Sequence, residues 1–327
     1  MNEMELLGLH HISGITGNVP SNYNFFAATL GLRLVKKTVN QDDVRAYHLY
    51  YADQRGTPGT DVTFFDYARS PKERRGNNSI TRTGLRVPVA SLEWWRARLT
   101  AAGVGVGAVG ELDARPTVLF EDLEGGRFAL VGDDAPSDAQ PWTAQVPAEH
   151  TVKGLGPVWL TVPRLEATAR VLTDVLHMRR VREYANPDSP IYPITVFEMG
   201  EGGVGAEVHV ATRPDLPPSR SGAGAMHHVA FRVPDAATHT AWLEHLRASG
   251  IQSSAAIDRH YFRALYFREP NGVLFELSTD GPGFATDERE DQLGTRLALP
   301  PFLESQRADI EANLEPLEFA RQDSVQT

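Results

Sequence analysis

Gly8-Leu9-His10-His11-Ile12-Ser13-Gly14-Ile15-Thr16 is answered, 146 positions later, by Gly154-Leu155-Gly156-Pro157-Val158-Trp159-Leu160-Thr161-Val162. The same spacing carries Leu30-Gly31-Leu32-Arg33-Leu34-Val35 onto Leu176-His177-Met178-Arg179-Arg180-Val181. It also carries Leu85-Arg86-Val87-Pro88 onto Phe231-Arg232-Val233-Pro234, and Val118-Leu119-Phe120 onto Ala264-Leu265-Tyr266. Between these anchors the register slips by one, pairing Trp95 with Trp242 and Gly103 with Gly250. Each anchor is weak alone, but several at one spacing mark a duplicated domain.

Each half divides again into a short strand, a helix and several strands. In the second unit the spacing predicts a helix over 92–102, with Leu92, Trp95, Leu99 and Ala102 on one face and Gly103 as its C-cap. In the fourth unit the helix covers 236–248, with Gly250 in the same role. Strands follow at 264–267 and 273–278, joined through the turn Pro270-Asn271-Gly272. The predicted fold is α+β. It has four strand–helix–strands units in two duplicated domains, 1–146 and 147–285, and a tail over 286–327. The Pro-containing segment 133–150 links the halves. In the tail Pro300-Pro301 opens an amphipathic helix over 302–317 carrying Leu303, Ile310 and Leu314, and residues 321–327 are expected to fray.

A chain of 327 residues suits two ordinary domains. Its 41% hydrophobic and 23% charged content is that of a globular protein. A net charge of −10 argues against nucleic acid or an anionic membrane as partner. There is no cysteine, so disulfides and thiolate metal sites are excluded, and any transition metal must be held by His, Asp and Glu. The opening Met1-Asn2-Glu3-Met4-Glu5 lacks the shape of a signal peptide, and no apolar run is long enough to span a bilayer. A cytoplasmic protein is the expectation.

Two histidine pairs, His10-His11 and His227-His228, open the first and fourth units. Successive strand residues face opposite sides, so only one of each pair can enter a given cavity. Val229, Phe231 and Val233 share a face with His227, and that face should pack on helices. His228 shares the other face with Ala230 and Arg232, and His11 is its repeat equivalent. The predicted metal ligands are therefore His11 and His228, with His10 and His227 behind them. The third predicted ligand is Glu276 in Leu274-Phe275-Glu276-Leu277-Ser278, because a carboxylate inside an apolar strand is costly unless paired or metal-bound. Tyr266 has the same strand parity as Glu276. Repeat-equivalent positions elsewhere hold Pro157, Arg82 and Leu130, so the histidines serve no fold-wide packing role. Glu207, spaced after Gly203 as Glu276 is after Gly272, is a rival ligand, and His48 is read as structural.

These residues resemble the vicinal oxygen chelate superfamily of glyoxalases, bleomycin-resistance proteins and extradiol dioxygenases. Within it the chain is most similar to ring-cleaving dioxygenases acting on hydroquinones. The resemblance spans nearly the whole chain. It is carried by Leu9-His10-His11-Ile12, Tyr47-His48-Leu49-Tyr50-Tyr51-Ala52-Asp53, Gly56-Thr57-Pro58-Gly59-Thr60, Met226-His227-His228-Val229, Asp258-Arg259 and the run from Tyr266 to Glu276. It implies βαβββ modules forming half-open barrels around a metal held by His11, His228 and Glu276, with His10, His227, Arg259 and Tyr266 around the site.

Two histidines and one carboxylate leave three neighbouring coordination positions open, the arrangement of non-haem iron(II) oxygenases. Iron(II) is the expected metal and manganese(II) the second choice. The expected reaction inserts both atoms of dioxygen into a hydroquinone or catechol-like ring. His10, His227 and Tyr266 are expected to relay protons and Arg259 to support an anionic substrate. The expected partners are the aromatic substrate and dioxygen, with homo-oligomers left open. One alternative is a glyoxalase- or epimerase-type lyase or isomerase with Glu207 as a fourth ligand. The other is a non-catalytic resistance protein that sequesters an aromatic.

Overall fold

The computed structural model describes residues 4–317. The predicted fraying of 321–327 lies outside them. The first module runs β1 (Leu9–Thr16), α1 (Val19–Tyr23, continued by a π-helical turn Asn24–Thr29), β2 (Arg33–Asn40), β3 (Asp43–Ala52) and β4 (Asp61–Asp66). The second runs β5 (Ser79–Val87), α2 (Leu92–Ala101), β6 (Val106–Leu112), β7 (Arg115–Glu121) and β8 (Arg127–Gly132). The third runs β9 (Gly154–Val162), α3 (Leu165–Arg170, continued by a π-helical turn Val171–Val175), β10 (Arg179–Tyr184), β11 (Ile194–Glu198) and β12 (Glu207–Thr212). The fourth runs β13 (Met226–Val233), α4 (Ala236–Ala248), β14 (Ile257–Asp258), β15 (Phe262–Arg268) and β16 (Leu274–Pro282). The α+β fold with four repeated modules is the one the sequence predicts.

The helices form where the patterns place them. In α2 Leu92, Trp95 and Leu99 are buried, while Ala102 has turned to solvent beyond the helix end. Asp235 caps α4 by accepting from the backbone of Thr238, and Gly103 and Gly250 end α2 and α4 in left-handed conformations. The tail helix is shorter than its pattern suggested. Residues 302–303 form no helix, a 3-10 turn spans Glu304–Gln306, and α5 covers Arg307–Asn313. The three apolar residues Leu303, Ile310 and Leu314 are nonetheless buried. The tail is pinned upstream of α5 by Lys36 on β2, whose buried ammonium meets Asp287 at 2.6 Å and also pairs with Glu288.

Modules pair across the two halves of the chain. β1 lies antiparallel to β13, joining the first module to the fourth, and β5 lies antiparallel to β9, joining the second to the third. Each pairing gives a run of eight strands, β2-β3-β4-β1-β13-β16-β15-β14 and β10-β11-β12-β9-β5-β8-β7-β6, and neither closes on itself. They touch through a β5–β13 contact at Met226 and Ile80. Among the described residues no helix is long and apolar enough to cross a membrane.

Candidate metal centre

Three neighbouring strands build the site. His11 on β1 sits opposite Ala230 on β13, and Ala230 sits beside Glu276 on β16. His228 lies two residues before Ala230 and so on the same face. Ala230 is the small residue between the three larger side chains and is fully buried. The result is a convergence of single atoms. His11 Nε2 lies 3.2 Å from His228 Nε2 and 3.2 Å from Glu276 Oε2, and His228 Nε2 lies 2.9 Å from the same oxygen. All three residues are buried.

The hydrogen-bond network decides what those atoms are. His10 Nε2 lies 3.1 Å from the carbonyl oxygen of Thr279, which can only accept, so His10 carries its proton there. Burial, helped by the neighbouring His11, holds the His10 pKa down to about 3, so the ring is neutral and its Nδ1 is a bare acceptor. His11 Nδ1, 2.9 Å away, donates to it, which leaves Nε2 as the nitrogen that a metal can take. His227 Nδ1 stands 2.8 Å from His228 Nδ1 and can bare the second Nε2 in the same way. Burial and His228 also hold the His227 pKa down.

Burial alone would push the Glu276 carboxyl up, but the facing imidazoles hold it well below the usual range, so it is charged. Its Oε1 accepts from the Ser278 hydroxyl at 2.7 Å, while Oε2 is buried without a hydrogen-bond donor. Two imidazole nitrogens and a carboxylate oxygen converging on one buried point call for positive charge between them, and a bound cation supplies it. Ligands about 2.1 Å from one ion at right angles lie about 3 Å apart, and the separations of 2.9 to 3.2 Å match that spacing.

Around this point opens a narrow cavity bordered by His48, Tyr50, Phe65, Phe262, Arg259 and Tyr266. Tyr266 stands opposite Glu276 across the β15–β16 ladder. Its hydroxyl lies 3.2 Å from Arg259 Nε, and Arg259 is held by Asp42 at 2.9 Å and lies over the Tyr266 ring. Burial, with Glu276 nearby, pushes the Tyr266 pKa up, so the phenol keeps its proton. Phe262 packs against His11 at 5.2 Å between ring centres, and Phe65 against His228 at 6.2 Å.

Sequence reasoning missed part of this wall. His48, read as structural, faces the cavity. Its Nδ1 lies 2.9 Å from the Tyr50 hydroxyl and its Nε2 3.0 Å from Thr63, which in turn bonds Ser13. The available signal was the alternation Tyr47-His48-Leu49-Tyr50, which puts His48 and Tyr50 on the face opposite buried Leu49. His227 does not pack on helices with Val229. It keeps an exposed edge at the start of β13, its ring 5.6 Å from that of Phe65.

Glu207, the rival ligand, is not part of this convergence. It lies on β12, where Arg115 takes both its oxygens at 2.6 and 2.7 Å, Arg182 bonds at 2.8 Å and His209 at 2.9 Å. Asp113, Glu207 and His209 form a second cluster of metal-ligand type, but guanidinium groups already neutralise its carboxylates.

Fold and site together define a protein of the glyoxalase type. Residues 150–277 match the model of the Glyoxalase/Bleomycin resistance protein/Dioxygenase superfamily, and the chain belongs to that superfamily. Over 318 residues it is 43% identical to MhqA of Bacillus subtilis (strain 168), provisionally named a ring-cleaving dioxygenase, covering 96% of this chain and 100% of that one. It is 30% identical to the chlorohydroquinone/hydroquinone 1,2-dioxygenase of Sphingobium indicum, covering 93% of this chain and 94% of that one. A crystal structure from Bacillus subtilis, provisionally described as a dioxygenase, superposes with a TM-score of 0.89 at 33% identity, covering 96% of this chain and 98% of that one. Glyoxalase I from Zea mays shares the fold at a TM-score of 0.61 and 14% identity, covering 84% of this chain and 92% of that one.

Proposed function

We propose that this chain is a ring-cleaving dioxygenase that opens a hydroquinone or a related catechol-like ring, using iron(II), or manganese(II) in its place, held by His11, His228 and Glu276. The observation that carries the reading is the meeting of His11 Nε2, His228 Nε2 and Glu276 Oε2 within 3.2 Å of one another at a buried point bordered by aromatic rings. The names of the relatives at 43% and 30% identity agree with it.

His11, His228 and Glu276 would hold the metal from one side and leave the side facing the cavity accessible. A bound iron(II) supplies the one-electron chemistry by which a closed-shell ring reacts with dioxygen. The overall change is self-contained. The bond between a hydroxylated ring carbon and its neighbour breaks, each new end takes one oxygen atom, and the ring supplies all four electrons. No outside reductant is needed. The residues supply the rest. Phe65 and Phe262 offer flat apolar faces to a planar ring. Arg259, fixed by Asp42, steadies negative charge on a ring oxygen and aims the Tyr266 hydroxyl inward. Tyr266, protonated at neutral pH, donates a hydrogen bond or a proton to oxygen as charge builds there. Neutral His48, between Tyr50 and Thr63, can pass a proton along the wall. His10 and His227 orient the two imidazoles through their Nδ1 contacts.

The test is oxygen uptake by iron-loaded protein against a panel of hydroquinones and catechols. One dioxygen consumed per ring opened is the expected result, with Glu276→Ala losing both metal and uptake. Turnover of a substrate without oxygen consumption would move the protein to the lyase or isomerase class. Binding of aromatics with neither metal nor turnover would make it a sequestering protein.

A further inference from the structure

The two half-open barrels are related by the repeat, and the second has a cavity where the first has its metal site. Arg82 on β5 sits opposite Trp159 on β9, as His228 sits opposite Ser13 in the first barrel. Arg82 thus holds the place of a metal ligand. Pro157 holds the place of His11, and the strand beside it closes in: a Cβ added at Gly84 would lie 2.7 Å from the Pro157 carbonyl oxygen. No ion can be seated there as in the first barrel. What remains is a cavity of about 230 Å³.

Its polar side is cationic. The Arg82 guanidinium makes no hydrogen bond among the described residues, and its Nε is buried without a partner. Among the described residues Arg127, on the neighbouring β8, has one ion-pair partner, Asp188 at the cavity's edge, at 4.0 Å and itself half exposed, with Glu73 and Glu121 acting on it from further off. Arg75 and Arg213 also reach the cavity, but each is paired, with Glu121 at 2.8 Å and with Asp215 at 2.8 Å. Arg82 and Arg127 also repel one another, which lowers the pKa of Arg82 beyond what burial alone does. A half-buried guanidinium without an acceptor is costly unless a ligand supplies one. The opposite side is apolar: Trp159, Ile194 and Ala211 are all buried and form its floor. A hydrogen bond from Trp159 to Tyr184 at 2.7 Å fixes the indole.

We propose that this second barrel binds a small organic carboxylate with a flat, apolar body, its carboxylate taken by Arg82 and Arg127 and its body laid against Trp159. A planar two-nitrogen fork suits a carboxylate, and the indole face suits an unsaturated or aromatic body. The cavity is smaller than the roughly 300–1,000 Å³ of drug-sized sites, which limits the occupant to about one ring. The assignment does not rest on the ring-cleavage reading, because it uses no residue of the metal centre.

Benzoate titrated into the full-length protein by calorimetry tests it, with benzyl alcohol as the uncharged counterpart and inorganic phosphate as the bare anion. Saturable binding of one benzoate is expected, unchanged in Glu276→Ala, weakened at least tenfold in Arg82→Gln and absent for benzyl alcohol. Arg82 has no partner to lose, so Arg82→Gln should melt no lower than the parent. Should it fail to fold, Arg127→Gln carries the same expectation. Undiminished binding in both arginine variants overturns the proposal. So does binding lost in Glu276→Ala, phosphate binding as tight as benzoate, or no benzoate binding at all.

Discussion

His10 and His11 meet through their Nδ1 atoms at 2.9 Å, although they are consecutive residues of one strand. The contact lets a backbone carbonyl, that of Thr279, decide which nitrogen of His11 is free. Replacing the outer ring should therefore damage a metal site it does not touch. In His10→Phe the Nδ1–H of His11 loses its buried acceptor and the ring is free to take the other tautomer or turn. Metal affinity should fall by about 10- to 100-fold, with the fold kept, because the phenyl ring fills much the same space beside Phe262. A metal titration followed by circular dichroism checks both parts. Unchanged affinity would mean that His11 needs no such support.

Tyr266 is the other side chain whose role is open to a single-atom test. Its hydroxyl meets Arg259, and its ring stands 5.8 Å from that of His228. Tyr266→Phe removes one oxygen and leaves the ring. Metal content and KM should stay near the parent values while kcat for ring cleavage falls by about 100-fold or more, the scale of a lost proton donor. A variant with full kcat would take the tyrosine out of the chemistry. A fall in both metal content and rate would instead make it a support for His228.

Much of this was legible beforehand. The repeat announced four modules because each must pair a strand with a helix at the same spacing, and Leu92, Trp95 and Leu99 repeat that demand openly. The pair of His-His motifs and the charged Glu276 in an apolar strand stood out because burial makes such residues expensive. What the repeat did not say is that the first module pairs with the fourth. Strand pairing between modules depends on edges, and β1 and β5 carry similar apolar patterns. His48 was passed over because one histidine in an aromatic strand looks like packing. The alternation sets it on one face with Tyr50, but the β3–β4 neighbour Thr63 and the cavity beyond it are what make that face a wall of the site. The tail helix was overdrawn because Leu303, Ile310 and Leu314 fit a helical stripe, yet Leu303 is buried from a turn before the helix begins.

Glu207 separates a structural carboxylate from a metal-binding one. It is fully buried and meets Arg115, Arg182 and His209. Burial alone would raise its pKa, but these partners hold it well below the usual carboxylate range. A lowered pKa means that its stabilisation is present above the ordinary carboxylate pKa and is lost as pH falls through the lowered one, so it is complete at neutral pH. Glu207→Ala takes a charged acceptor from Arg115, Arg182 and His209, while Asp113 still pairs both arginines, and should cost about 1.5–3 kcal/mol in denaturant unfolding at pH 7. Metal bound per folded molecule should not change. Loss of metal in a folded Glu207→Ala protein would restore this residue as a ligand.

Asp66, at the end of β4, predicts the opposite pH response. Desolvation is the main cause, and Glu315 and Glu124 add to it, raising its pKa to about 6. A raised pKa means that the fold prefers the protonated acid. The stabilisation is full below the ordinary aspartate pKa and is lost as pH rises through about 6. At pH 7.5 the charged carboxylate therefore works against the fold. Asp66→Asn carries no charge at any pH and should melt a few degrees above the parent at pH 7.5. The gap should narrow as pH falls below about 6 and close below the ordinary aspartate pKa, where the acid is neutral in the folded and unfolded chain alike. Melting curves of the two proteins across that range, at fixed ionic strength, read the difference directly. A gap that stays constant with pH would mean that Asp66 titrates alike in the folded and unfolded chain, and that the nearby Glu315 and Glu124 do not act on it.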